Sequence, residues 1–192
     1  MIRIAVVGDI GSGKSHVAKL FGYPVFNADQ EVALLYKKNR NCFNKLKKVL
    51  PKYIASFPIS KKVITKAIIN NNINLKKIIK VIHPEVRLQM NKFIKKNRIK
   101  KIVVLDIPLL LENKINRKKD IIIFVDAKKK EISKRLKKRD NVHLKILKKF
   151  KKVQLPLELK KKKSNYIVKN NFKNHSVKKN VKIILKKILS NA

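Results

Sequence analysis

Residues 8–15 read GDIGSGKS, directly after the apolar run IRIAVV at residues 2–7. The octet fits the pattern G-x-x-x-x-G-K-[ST], with Gly8, Gly13, Lys14 and Ser15 at the fixed positions. The spacing has a physical cause. Glycines let successive backbone N–H groups turn inward and cradle the β- and γ-phosphates of a nucleotide. A helix starting where the loop ends adds the positive end of its dipole. Lys14 supplies a mobile positive charge for the transferring phosphoryl group, and the Ser15 hydroxyl is a ligand for Mg²⁺. The chain has four glycines, and three of them (Gly8, Gly11 and Gly13) fall within this loop between a strand and a helix, which argues against a chance match. The octet therefore predicts a phosphate site for ATP or GTP formed by Gly8, Gly11, Ser12, Gly13, Lys14 and Ser15.

The pattern on both sides of the octet predicts the fold. Ile2–Val7 is a near-continuous apolar run, the signature of a strand buried on both faces of a parallel sheet. Ser15–Phe21 reads as a helix with Val17, Ala18 and Phe21 on one face. Further strands are expected at 24–27, at 102–105 ending in Asp106, at 121–125 ending in Asp126, and at 166–168. Residues 30–97 hold no strong strand and read as amphipathic helices broken at Pro51, Pro58, Asn70–Asn72 and His83-Pro84. A helix over 129–139, a very basic stretch to Lys163 and a closing helix over 177–189 complete the pass. Strands alternating with helices predict an α/β fold with a parallel sheet. The helical block between the second and third strands has the character of an insertion.

Bulk properties narrow the class. The 192 residues are 44% apolar, enough for one well-buried core. No run of about 18 uncharged apolar residues is present, so no membrane span is expected. The opening MIRIAVVGD enters a strand directly and lacks the layout of a secretory signal. One cysteine, Cys42, cannot pair within the chain and suits a reducing cytoplasm. The formal charge of +40 invites a nucleic-acid reading. Against it, lysine dominates the basic residues, Lys, Asn and Ile are enriched together, and the basic residues spread through every segment without an aromatic-studded stripe. Compositional drift with a polyanionic small-molecule substrate accounts for the charge without obligatory nucleic acid.

Only eleven acids remain in this background, so their positions carry information. Asp29, in VFNAD, ends the second strand. There it suits either a general base for an attacking hydroxyl or a helix N-cap. Asp106, in IVVLD, suits either a carboxylate that supports Mg²⁺ through water or a turn residue before Pro108. Glu112, in PLLLEN, suits an acceptor contact or a helix cap. His83, one helical turn from Arg87, suits an anion site or a structural role. Arg135 and Arg139 share a helical face at i, i+4, where bidentate phosphate binding or stacking on adenine would explain arginine in a lysine-rich chain. A GTPase is disfavoured because the chain has no N-K-x-D motif.

Taken in order, GDIGSGKS, PVFNAD, HPEVR, VLDIPLLLEN, RLKKRD and QLPLELKKKKSNYIVKNN resemble the dephospho-coenzyme A kinases over nearly the whole chain. The last string is the most distinctive, with Gln154, Pro156, Leu157, Glu158, Lys160, Tyr166 and Asn170 in register with the family pattern. The resemblance implies ATP-dependent phosphorylation of the ribose 3′-hydroxyl of dephospho-CoA in a P-loop, three-layer α/β fold. It implies a nucleotide core at 1–29, 98–133 and 164–192, a helical acceptor subdomain at 30–97, and a lid at 134–163. It implies Asp29 as general base with Lys14 in catalysis, and Arg135, Arg139 and His16 toward ATP. Acceptor contacts would come from His83, Arg87, Pro108, Leu109 and Glu112, with Ser15, and Asp106 through water, toward Mg²⁺. A cytoplasmic monomer or weak homo-oligomer is expected.

Several positions depart from the family pattern. The first Asp of its D-A-D motif is Asn27, the Thr after the loop serine is His16, and a frequent Arg is Ala33. An Arg near the end is Lys161, and D-Y-x-I-D-N reads with Asn165, Tyr166 and Lys169. Lys14, Ser15 and Asp29 remain, which implies an active enzyme. The competing readings are another small-molecule P-loop kinase and a basic nucleic-acid-binding protein that holds ATP as a ligand. The last of these predicts tight nucleic-acid binding that persists at physiological salt. Compositional drift predicts that binding of a duplex, measured by fluorescence anisotropy, disappears by about 0.15 M salt.

Overall fold

The computed structural model describes residues 1–138 and 144–191. β1 (Ile2–Gly8) is the middle strand of a five-stranded sheet ordered β2-β3-β1-β4-β5. The others are β2 (Val25–Asn27), β3 (Ile102–Asp106), β4 (Ile121–Asp126) and β5 (Tyr166–Lys169). All four pairings are parallel, as the apolar runs predict. β1 is buried from Arg3 to Gly8 and β3 is buried throughout.

The core joins Ile4 and Val6 of β1, Val104 of β3, and Ile123 and Val125 of β4 to two helices. α1 (Lys14–Leu20) contributes Val17 and Ala18, and Phe21 caps its end. A C-terminal helix over Asn174–Ser190 contributes Val177, Val181, Ile184 and Ile188, a stripe at helical spacing. Each such aliphatic side chain adds about 1.5–3 kcal/mol through burial. Arg3 is the polar exception on β1. Its Nη2 donates to Asp120 Oδ2 at 2.9 Å, both side chains being almost fully buried, and Asp120 also accepts the Arg117 N–H at 2.8 Å.

The chain forms two compact units. One comprises Met1–Asn27, Asn97–Val142 and Phe150–Ala192, the other Ala28–Lys96 and His143–Lys149. The first holds the sheet. The second is helical, with α2 (Ala28–Lys38), α3 (Arg40–Val49), α4 (Lys61–Asn70) and α5 (Asn72–Lys96). Side-chain caps start two of them. Asn39 accepts from the Cys42 N–H at 2.8 Å and Ser60 from the Val63 N–H at 3.3 Å. α5 packs against α2, α3 and α4, and it buries Leu75, Ile78, Ile82 and Met90. Cys42 is fully buried, and burial, reinforced by the Glu85 carboxylate, pushes its thiol up to about 11, so it packs as a small apolar group. Three further helices follow β4: α6 (Lys129–Lys137), α7 (Leu144–Val153) and α8 (Leu157–Lys162). The C-terminal helix is α9. No helix among the described residues is long and apolar enough to cross a membrane.

The sequence predicted a break at His83-Pro84, and the structure corrects it: α5 runs through Pro84. Pro84 and Lys80 are both exposed, so the carbonyl that loses its i+4 partner faces water. The apolar stripe on the opposite side outweighs a local penalty of about 3 kcal/mol. Replacing Pro84 with Ala restores an N–H and a helix former, against a smaller gain in unfolded-chain entropy. Pro84→Ala is therefore expected to raise stability by about 1–2 kcal/mol, visible as a higher Tm in thermal unfolding.

Candidate active site

The loop after β1 is shaped by what has no room. Gly11 has φ +83°, and a Cβ there would lie 3.0 Å from Ile132 Cγ2 and 3.1 Å from Leu136, so α6 packs directly on the loop. Gly13, the N-cap of α1, has φ +91°, and a Cβ there would run into Asn170 Nδ2. Both positions need the left-handed region and the missing side chain together. Lys14 Nζ donates to Asp9 O at 2.7 Å and, at 3.4 Å, to Gly8 O, which folds the ammonium back over the loop. Ser12 Oγ is fully buried and makes no hydrogen bond among the described residues, a cost of about 1–3 kcal/mol carried inside the loop. His16 lies exposed in the first turn of α1.

Strand register brings the acid to this loop. Asp106, the last residue of β3, lies opposite Val6 of β1 and Asn27 of β2. Asn27 Nδ2 donates to Asp106 Oδ2 at 2.6 Å, and the Ser15 hydroxyl donates to the same carboxylate. Burial pushes the Asp106 carboxyl above its ordinary value. The Ser15 hydrogen bond, the Lys14 charge and the Asn27 amide pull the other way and favour the anion. A hydroxyl and a carboxylate in contact, beside a lysine, form the hard oxygen set that suits Mg²⁺.

Arg135 lies on the exposed side of α6, its guanidinium carbon 4.6 Å from the centre of the Phe172 ring. Phe172 follows β5 with φ 62°. Asn170, which directly follows β5, is buried and donates to Ser12 O at 2.7 Å. Arg139, paired with Arg135 in the sequence reading, lies outside the described residues.

The β3–β4 connection holds the remaining candidates of the sheet unit. Pro108 is exposed, and Leu109 turns the chain with φ 57° while its carbonyl accepts from the Asn113 N–H and Nδ2 at 3.1 and 2.8 Å. Glu112 Oε1 meets Lys160 Nζ at 2.6 Å and accepts the Leu155 N–H at 3.0 Å. This buried pair ties α8 and the residues before it to the β3–β4 connection.

Asp29, His83 and Arg87 belong to the helical unit. Asp29 is exposed in the first turn of α2, since the helix already begins at Ala28, and a carboxylate there is favoured by the helix dipole. One residue, Ala28, separates it from Asn27. His83 and Arg87 are one turn apart on α5, and burial, then the Arg87 charge, lowers the His83 pKa and keeps the ring neutral near pH 7. The sheet unit thus gathers Gly8, Gly11, Ser12, Gly13, Lys14, Ser15, Asp106 and Arg135 at one end of its strands.

Sequence reasoning marked Asn27 only as a departure from the family pattern and did not foresee its contact with Asp106, nor Phe172, nor the Asn170 contact with the loop. Asn170 and Lys160 carried a signal, since both stand in the QLPLELKKKKSNYIVKNN string; Phe172 carried none. Removing Glu112 leaves Lys160, only 2% exposed, without its carboxylate. Glu112→Ala is expected to destabilise the protein by about 3–5 kcal/mol, and Lys160→Met in the same chain to recover most of that loss in urea unfolding.

Comparison with known proteins follows the same lines. The profile of the family described as dephospho-CoA kinase matches residues 2–176. A curated dephospho-CoA kinase from Wolbachia pipientis wMel is 34% identical over 187 residues, covering 95% of each chain. A crystal structure of a Thermus thermophilus protein shares 28% identity with a TM-score of 0.75, over 99% of this chain and 97% of that one. A dephospho-CoA kinase structure from Campylobacter jejuni, at 21% identity and a TM-score of 0.64, covers 97% of this chain and 96% of its own and shares the fold. A loop built for phosphates, a carboxylate brought to it by strand register, and a family match along almost the whole length agree: this chain belongs to the dephospho-CoA kinase family.

Proposed function

We propose that this kinase transfers the γ-phosphoryl group of ATP to the ribose 3′-hydroxyl of dephospho-CoA, giving coenzyme A. The observation that carries the reading is the meeting of Lys14, Ser15 and Asp106 at the end of β1 and β3 in a chain of this family. The loop from Gly8 to Ser15, with His16, holds the phosphates. Arg135, stacked on Phe172, offers its outer face to the purine ring, and Arg139 belongs to the same set. Ser15, and Asp106 through water, would hold Mg²⁺. When bound, the ion neutralises charge on the β- and γ-phosphate oxygens.

Asp29 is the general base. Its support is an exposed carboxylate in a helical first turn, two residues along the chain from the Asn27 that touches Asp106. The 3′-oxygen bonds to the γ-phosphorus as the bond to the β–γ bridging oxygen breaks. ADP leaves with that electron pair, and the hydroxyl proton passes to Asp29. Lys14 follows the transferring group with its charge. The helices between residues 30 and 97 form the acceptor-binding part, with His83 and Arg87, together with Pro108, Leu109 and Glu112 from the β3–β4 connection. Residues 134–163 act as a lid that excludes water from ATP. The enzyme works as a monomer or weak homo-oligomer in the cytoplasm.

A coupled assay for ADP with dephospho-CoA as acceptor tests the reading. Asp29→Asn is expected to lower kcat by roughly 10²–10⁴-fold with the KM for ATP little changed. Lys14→Ala is expected to lose at least about 10²-fold in kcat. Wild-type kcat in Asp29→Asn would remove the base assignment. Transfer from labelled ATP to nucleosides but not to dephospho-CoA would replace the acceptor.

A further inference from the structure

The segment after β5 meets the phosphate loop at Asn170, whose backbone N–H, side-chain Nδ2 and Oδ1 are all engaged. Asn170 is 3% exposed. Its backbone N–H donates to Asp126 O at 2.7 Å, which fixes it to the end of β4. Its Nδ2 donates to Ser12 O at 2.7 Å, and its Oδ1 accepts the Phe172 N–H at 2.9 Å. The second bond closes a short turn that holds Phe172 at φ 62°, the ring lying under Arg135. One amide therefore grips the phosphate loop with one end and the Phe172 turn with the other.

The grip on Ser12 O has a geometric consequence. The Ser12–Gly13 peptide is trans, as the cis bond among the described residues is Phe57–Pro58. In a planar trans peptide the carbonyl and the following N–H point in opposite directions. Holding Ser12 O against Asn170 therefore turns the Gly13 N–H away from Asn170. Gly13, with φ +91° and no space for a Cβ on the Asn170 side, has backbone freedom to swing that peptide over. A loop of glycines is adaptable, and something must select the orientation in which its N–H groups converge on an anion. The Ser12 side chain does not, since its Oγ has no partner among the described residues.

We infer that Asn170 is a positioning residue that presets the Gly13 N–H for a nucleotide polyphosphate, acting through the Ser12 carbonyl. This rests on the reading of residues 8–15 as the phosphate loop. The inference separates two roles that one residue could have. A residue that only stabilises the fold affects binding of adenosine and ATP alike. A residue that sets a phosphate-facing N–H affects ligands that carry the β-phosphate and leaves the nucleoside alone.

The test is isothermal titration of the full chain with adenosine, AMP, ADP and ATP, with Tm measured alongside. Asn170→Asp places an acceptor against Ser12 O while keeping an acceptor for the Phe172 N–H. Its expected effect is a roughly 10–100-fold weaker Kd for ADP and ATP, the range of one hydrogen bond to a charged group, with adenosine within about twofold of wild type. Equal losses for adenosine and ATP, or an unchanged ATP affinity, overturn the inference. Should Asn170→Asp fail to fold, Asn170→Ser keeps an acceptor for Phe172, loses the donor to Ser12 and is read by the same criteria. Wild type and Lys14→Ala separate the two levels of the argument. If wild type binds ATP no better than adenosine, the phosphate-loop reading itself fails. If wild type prefers ATP, Lys14→Ala loses the preference and Asn170→Asp keeps it, only the role of Asn170 fails.

Discussion

Parallel pairing around β1 is the constraint from which the site follows. In a parallel sheet all strands end on the same side, so the residues that leave those ends are neighbours whatever their distance in sequence. Asp106 is 79 residues from Asn27, yet the two touch because β2 and β3 stop in register. Ser15 joins them because the loop after Gly8 turns back before α1 begins. The sheet interior, apolar almost without exception, supplies the stability that lets this rim carry a buried carboxylate and a serine hydroxyl with no partner among the described residues.

The rim is also held from outside the loop that gives it its chemistry. Ile132 and Leu136 of α6 fill the space against Gly11, and Asn170 fills the space beside Gly13. The two faces of the loop are thus defined by segments that follow β4 and β5. Lys14, by contrast, is held by carbonyls of its own loop. Backbone shaped from outside and a charge carried on the loop itself suit phosphoryl transfer, whose barrier is met mainly by positioning and charge.

Much of this was legible in the sequence because the signals were local. Five strands announced themselves as short runs of Ile, Val and Leu, and GDIGSGKS specified its own conformation through three glycines. Asn70–Asn72 marked a helix boundary correctly, since Asn71 caps α4 and α5 starts at Asn72. His83-Pro84 did not mark one, because a proline on a solvent-facing surface loses one hydrogen bond while the buried stripe of a 25-residue helix carries on beneath it. The Asn27 contact of Asp106 and the partners of Glu112 and Asn170 were not legible. Each is a contact over 43 to 158 residues, fixed by register and packing that no spacing in the sequence encodes.

The bolted acids set a limit on how this sequence can change. Asp120 is locked to Arg3, Glu112 to Lys160 and Glu85 to Lys45, with the acid of each pair largely withdrawn from water. Mutational pressure toward lysine meets little resistance on a wetted surface, where one more ammonium costs almost nothing. Inside, it meets resistance at Arg3–Asp120 and Lys160–Glu112, where both side chains are buried and exchanging one leaves the other without its counter-charge. Glu112 and Asp120 are therefore acids that a lysine-rich chain cannot shed one at a time, because each neutralises a cation already withdrawn from water.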